Sequence, residues 1–229
     1  MEPRSYFKNF MEDNNSYKKI YTKAYFHGEK SFFYKLGYRD FRHYFNNLFK
    51  PLKKHNNEFK AGNVLDVGCA YGFMLKRFPD NFTLYGIDIS EYAILRAKKI
   101  VPQAVLKVGN IEEGLPFNNN FFDIVCFNDV IEHLRNPQKA LLNIKNILKT
   151  NGLLYITTPN LNLFRKTIYF YADKKEHHIS LFARKKLIKL LKFLEFEILE
   201  EGTYFSGFIP PIRLKNNIGP ETFIICKKI

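Results

Sequence analysis

Disulfide chemistry is the first thing this chain does without. Its 229 residues hold three cysteines, Cys69, Cys126 and Cys226, an odd and scattered set with no C-x-x-C spacing. That pattern excludes a disulfide framework and offers no zinc knuckle, so reduced thiols are expected and no metal site. No apolar run reaches the roughly 18 residues that a membrane-spanning helix requires. The opening MEPRSYFKNFMEDNN also lacks the unbroken apolar core of a secretory signal. Internal repeats and low-complexity tracts are missing as well. Together these absences predict a soluble protein of the cytoplasm.

What is present is a globular composition, 46% hydrophobic and 25% charged, in a length that suits one domain with decorations. Acidic groups are the scarcer charge, with 22 against 36 basic ones, for a net charge of +14. Residues 1–60 carry 13 basic and 6 acidic side chains and residues 161–229 carry 13 and 7, whereas residues 61–160 carry 10 and 9. The basic excess therefore lies in the flanks. It either steers an anionic partner or forms a solvated lysine-rich surface.

Residues 1–60 read as helical and aromatic, with Phe41, Tyr44, Phe45, Leu48 and Phe49 at helical spacing before Pro51 ends the run. The texture then changes to strands alternating with helices. Strand patterns cover 64–67, 82–90, 104–109, 122–129 and 153–159. Between them, YGFMLKRFP carries a helical pattern ending at Pro79, EYAILRAKKI follows a capping Ser90, and residues 137–150 form an amphipathic helix with Pro137 in its first turn and Gly152 past its end. After Pro159 come a basic amphipathic helix (183–194), the strand FEILEEGTYF, a loop rich in proline and glycine, and the strand ETFIICKKI. The expected fold is α/β, an open doubly wound seven-stranded sheet, mostly parallel, with an antiparallel edge and an N-terminal helical extension.

In such sheets ligands lie at the carboxyl ends of the strands. The first strand ends in Asp66-Val67-Gly68-Cys69-Ala70-Tyr71-Gly72 and the second in Gly86-Ile87-Asp88. A carboxylate at Asp88 can accept both protons of a ribose diol. The glycine spacing is G-x-x-x-G, and Asp66 stands two residues ahead of Gly68, where it would repel a pyrophosphate and suit a cationic ligand.

The stretches VLDVGCAYG, YGIDIS, GNIEEGLPF and FDIVCFNDVIEHLRNPQKALLNIKNILKTNGLLYITTPN resemble, in order and spacing, the motifs of class I S-adenosylmethionine-dependent methyltransferases. The likeness covers about residues 61–160 and is greatest to the small-molecule branch that includes quinone-biosynthesis O-methyltransferases. HHISLFARKKLIKLLKFLEFEIL resembles that branch's C-terminal part. The resemblance implies a Rossmann-like methyltransferase domain over 61–229, with 1–60 as an extension or lid, and S-adenosyl-L-methionine as cofactor. It implies that Gly68, Cys69, Ala70 and Gly72 form the cofactor turn and that Asp66 helps to hold the methionine ammonium. Asp88 would bind the ribose, Ile89 would pack on adenine, Asn110 and Ile111 would flank its edge, and Asn128 would face the methionine. Two positions depart from the family pattern: Ala70 replaces its middle glycine and Asn110 its acid.

Methyl transfer from a sulfonium is an in-line displacement, helped most by positioning in a water-poor site. The candidate bases are Glu132, His133, His177 and His178, with His133 and His177 put forward as catalytic because an imidazole of pKa near ~6.5 can take a proton from a hydroxyl. Each could equally serve to order the local chain. Strand four carries NDVI rather than an [N/D]-P-P-[Y/F] motif, which points away from adenine or glutamine nitrogen and leaves oxygen as the favoured acceptor atom. Tyr21, Tyr25 and Phe26 are lid candidates, or core aromatics. The acceptor is expected to be a small molecule, free or linked to lipid or glycan. The rivals are an RNA-modifying methyltransferase, suggested by the basic flanks, and a non-catalytic cofactor-binding partner protein docking through the helix at 183–194. That helix could also lie on an anionic membrane surface, or simply cover the sheet.

Overall fold

The computed structural model describes residues 20–27, 42–56, 61–205, 212–214 and 217–229. Residues 1–19, 28–41 (Phe41 among them) and 57–60 of the expected extension or lid, and residues 206–211 and 215–216 of the loop rich in proline and glycine, lie outside them. The strands are β1 (Gly62–Val67), β2 (Phe82–Asp88), β3 (Val105–Val108), β4 (Phe122–Asn128), β5 (Leu148–Pro159), β6 (Phe196–Phe205), β7 (Ile212–Leu214) and β8 (Glu221–Lys228). They form one sheet in the order β3-β2-β1-β4-β5-β8-β6-β7. The first five pair in parallel, while β8 runs antiparallel to both β5 and β6, and β7 antiparallel to β6. The seven expected strands are all present, and the three-residue β7 adds an eighth at the antiparallel edge.

The helices are α1 (Lys23–Phe26), α2 (Arg42–Asn56), α3 (Glu91–Ile100), α4 (Pro137–Ile147), α5 (Leu163–Ile168), α6 (Phe170–Lys175) and α7 (Arg184–Phe193). The strands are apolar along both faces because both faces are covered. On one side Leu65, Val125, Phe127, Leu154 and Ile224 meet Leu141 and Ile144 of α4 and Leu187 and Leu191 of α7. On the other, Val64, Ile124, Tyr155 and Ile225 meet Leu48 and Leu52 of α2 and Ile94 of α3. The Tyr155 hydroxyl donates to the Leu48 carbonyl at 2.8 Å, tying α2 to the sheet centre. Lys185, Lys186, Lys189 and Lys192 of α7 face solvent, so this helix covers the sheet with its apolar face.

Three boundaries differ from the sequence pattern. Helix α2 continues through Pro51 to Asn56, since burial of Pro51 and Leu52 offsets the roughly 3 kcal/mol that an interior proline costs. After β1 only Leu75–Arg77 winds, as a 3-10 turn. Gly72 is spent in the preceding turn at φ +78° and Pro79 stops the chain, leaving too few residues for a helical nucleus. Helix α4 ends at Ile147, where the carbonyls of Asn146 and Ile147 accept the amides of Asn120 and Phe121, and Leu148 already pairs with Phe122.

Candidate functional site

Strand β1 has β2 on one side and β4 on the other, so the chain reverses its direction of travel across the sheet here. A crevice opens at the carboxyl ends of these strands, as the topology requires. It is a cavity of about 300 Å³. One half is built by the turn after β1. Gly68 and Cys69 donate their amides to the Ile87 carbonyl at 2.8 and 3.1 Å, and Gly72 donates to Cys69 at 2.7 Å. Gly68 has φ +74°, and a Cβ there would sit 2.2 Å from Val130 Cγ2, so a side chain is excluded on two grounds. Gly72 serves packing behind the turn, where a Cβ would come within 2.6 Å of Val101 Cγ2. Gly68, Cys69 and Ala70 line the cavity.

Asp88, at the end of β2, locks this turn. Its Oδ2 accepts the Ala70 amide and its Oδ1 the Ser90 amide, both at 2.8 Å, and each oxygen keeps a lone pair for a further donor. Burial pushes its pKa up to about 6, against the pull of those two amides. Asp66 is buried beneath the turn, and burial, then the proximity of Asp88, raises its pKa well above the ordinary carboxylate value. Among the described residues nothing hydrogen-bonds to the Asp66 side chain. Ile89, Asn110, Ile111 and Asn128 all line the same space. The Asn110 amide is engaged in its own loop, accepting from Glu112 at 3.0 Å and donating to Glu113 at 3.3 Å. Both polar atoms of the Asn128 amide are buried without a partner among the described residues.

The other half is bounded by the 3-10 turn Ile131–His133 after β4 and by α5, α6 and the start of β8. His133 Nδ1 donates to the His177 carbonyl at 3.3 Å, which fixes the tautomer and leaves the Nε2 lone pair free. Burial, followed by the neighbouring His178, lowers the His133 pKa to about 3. Glu132 is buried and its Oε2 accepts the Thr158 hydroxyl at 3.0 Å. Here His177 contributes its backbone, held at φ +58°, and it is His178 whose ring lines the cavity and meets the edge of His133 at 4.9 Å. His178 Nδ1 donates to Asp173 at 2.8 Å.

Arg165, Tyr169, Glu176, Asp129 and Glu221 also face this half, and none of them was singled out by pattern or spacing. Arg165 donates to Asp173 at 2.6 Å, to Glu221 at 2.8 Å and to the Pro220 carbonyl at 3.0 Å. Burial opposes its charge, and the two carboxylates outweigh that opposition. Burial pushes Glu221 up, with Arg165 pulling the other way. Glu221 is 56 residues from Arg165 in the chain, so no local pattern could have joined them.

Aromatic residues close the cavity from the N-terminal side. Tyr21 meets His133 edge-on at 5.7 Å and Tyr25 at 4.9 Å, while Phe26 stacks on Tyr71 at 5.2 Å. Tyr25 and Phe26 are buried in a cluster with Ala70 and Ala93, so they are wall and core at once.

Residues 37–201 match a methyltransferase domain family model. The chain is 26% identical over 194 residues to a ubiquinone biosynthesis O-methyltransferase of Rickettsia typhi, covering 79% of each protein. It is 28% identical over 186 residues to an uncharacterized protein of Methanocaldococcus jannaschii, covering 76% of this chain and 84% of that one. A crystal structure of a SAM-dependent methyltransferase from Thermotoga maritima superposes with a TM-score of 0.65 at 20% identity, covering 87% of this chain and 97% of the other, and so shares the fold. The chain belongs to the methyltransferase domain family, whose methyl donor is S-adenosylmethionine.

Proposed function

We propose that this protein transfers the methyl group of S-adenosylmethionine to an oxygen atom of a small molecule, free or carried on a lipid or sugar. The observation that carries the reading is a single cavity that joins two buried, unlike halves. One half offers Asp66 and Asp88 to a cation and a diol, and the other presents the neutral imidazole of His133 beside Glu132. The cofactor fits the first half on its donor set. Asp66 needs a positive partner, which the methionine ammonium supplies, and the Asn128 amide needs both a donor and an acceptor, which the ammonium and carboxylate supply. Asp88 would take the ribose hydroxyls on its remaining lone pairs. Ile89 and Ile111 would sandwich the adenine, and Gly68, Cys69 and Ala70 would pass beneath the methionine chain, with Asn110 offering a neutral acceptor at the adenine edge.

With a pKa near 3, His133 is a weak base, so its part is to accept a hydrogen bond from the acceptor hydroxyl at Nε2 and aim the oxygen at the methyl carbon. Tyr21, Tyr25 and Phe26, from the N-terminal stretch 1–60, act as a lid that excludes water. The O-methyltransferase relative supports an oxygen acceptor. No helix of the described residues is long and apolar enough to cross a membrane, and the three cysteines are free and buried, which supports a cytoplasmic setting. Calorimetry with S-adenosylmethionine tests the cofactor half: Asp88→Ala is expected to weaken binding about 10- to 100-fold, the loss of charged hydrogen bonds. Labelling a cell extract with methyl-tritiated cofactor and fractionating it tests the acceptor. Label in the small-molecule or lipid fraction is expected, and label confined to RNA would overturn the reading.

A further inference from the structure

At the acceptor end of the cavity, His178 and Glu176 face the same space, two hydrogen-bond acceptors without a donor. The His178 ring is fixed through Nδ1, which donates to Asp173 at 2.8 Å, and Asp173 is held in turn by Arg165. The neutral ring therefore presents the lone pair of Nε2, on a side chain that is only 4% exposed. Nε2 stands 3.6 Å from Glu176 Oε2, too far for a hydrogen bond. Among the described residues, nothing hydrogen-bonds to Nε2 or to the Glu176 carboxylate.

Positive charge is missing here as well. Arg165 is the only lysine or arginine among the described residues that line the cavity, and it is taken up by Asp173 at 2.6 Å and Glu221 at 2.8 Å. Glu176 meets no lysine or arginine among the described residues. A carboxylate without a cation, beside an imidazole lone pair, is matched by a group with positive charge and at least two hydrogens. A hydroxyl brings one hydrogen and no charge, and an amide brings two hydrogens and no charge; a protonated amine brings both. We propose that the methyl acceptor carries an amino group, bound as its ammonium between the Glu176 carboxylate and His178 Nε2.

This inference rests on the reading of that half as the acceptor site, and it deepens that reading by naming the substrate class. The reacting hydroxyl stays with His133, whose ring lies 4.9 Å from that of His178. The acceptor is thus a hydroxylated amine whose amino group and reacting hydroxyl sit on adjacent or next-adjacent carbons. Two hydrogen bonds of about 2.9 Å from one tetrahedral nitrogen place their acceptors about 4.7 Å apart, so the Glu176 carboxylate swings outward by roughly an ångström on binding. No hydrogen bond among the described residues holds it back.

The test uses the full chain saturated with the demethylated cofactor, S-adenosylhomocysteine, and titrates matched probes in calorimetry. The pairs are glucosamine against glucose and 2-(aminomethyl)phenol against 2-(hydroxymethyl)phenol. In at least one pair the amine is expected to bind at least about tenfold more tightly than its neutral partner, through charge-assisted hydrogen bonds. Glu176→Gln and His178→Ala should each cut that ratio at least about fivefold while S-adenosylmethionine binding persists, which shows that the variants fold. Should His178→Ala lose cofactor binding, Glu176→Gln decides alone. A second arm runs the methyl-tritiated products of the cell extract over a cation exchanger at neutral pH, where the labelled small molecule is expected to be retained. If no fraction of the extract takes label, the proposed methyl transfer falls, and the binding ratios still decide this inference. A water bridging Glu176 and His178, or a protonated His178 ring, predicts no amine preference. Equal affinities in both pairs, a ratio unmoved by Glu176→Gln, or a labelled product that passes through the exchanger overturns the proposal.

Discussion

At the scale of single residues, Ala70 is the clearest case of local cost accepted for a site. It takes φ +44°, a region that costs an L-residue about 1–2 kcal/mol, and its amide is held there by Asp88. Ala70→Gly removes that strain and adds back some unfolded-state entropy, so a gain of about 0.5–1 kcal/mol in unfolding free energy is expected. A lower urea midpoint for the glycine variant would show that the alanine methyl packs to better effect than the strain costs. Asp66, Asp88 and Gly68 were legible in the sequence because each sits at or just past the carboxyl end of a strand whose pattern is readable, where such a sheet opens its crevice. Arg165 and Glu221 were not, because the 56 residues between them are closed only by the tertiary fold. His133 was legible by position, yet its low pKa follows from burial beside His178, which no spacing announces.

At the scale of elements, strands and capped helices were readable and irregular turns were not. β6 matches its sequence pattern, and α3 begins where Ser90 accepts the Ala93 amide at 3.3 Å. The 71–78 segment misled because a helical pattern of side chains cannot supply the residues that Gly72 and Pro79 withdraw. Helix α7 offers a direct test of role. Leu187 and Leu191 are fully buried, so Leu187→Ala or Leu191→Ala should cost about 2–5 kcal/mol in denaturant unfolding. Charge reversal at Lys185 and Lys189 should change stability by less than about 0.5 kcal/mol. The reverse ranking would mean that α7 serves as a docking surface. For the aromatic wall, Tyr21→Ala should raise the acceptor KM several-fold and change S-adenosylmethionine affinity less, since the Tyr21 ring meets the edge of His133. Equal losses of both would place it over the cofactor.

At the scale of the whole molecule, charge is divided between outside and inside. The chain carries +14, whereas its cavity is walled by Asp66, Asp88, Asp129, Glu132, Glu176 and Glu221 against Arg165. A polyanion drawn to the surface would meet carboxylates at the site, which favours a neutral or cationic acceptor over a phosphate-rich one. Among them, buried Asp88 makes stability fall as pH rises. Asp88 keeps its proton to about pH 6 in the fold but only to about 4 when unfolded. The native state therefore binds more protons across that window, and stability declines from pH 4 to pH 6 and levels off above it. Without cofactor, the unfolding free energy of the wild type relative to Asp88→Asn should drop by on the order of 1–3 kcal/mol over that range. A flat difference would mean that Asp88 is ionised throughout. Strand β8 has a consequence in time. It is made after every other described strand, yet it slots between β5 and β6 and carries the Glu221 that pairs with Arg165. On the ribosome, then, the parallel half with its glycine turn can assemble while the acceptor end still lacks a wall, so a nascent chain would become competent to hold the donor before it could choose what to methylate.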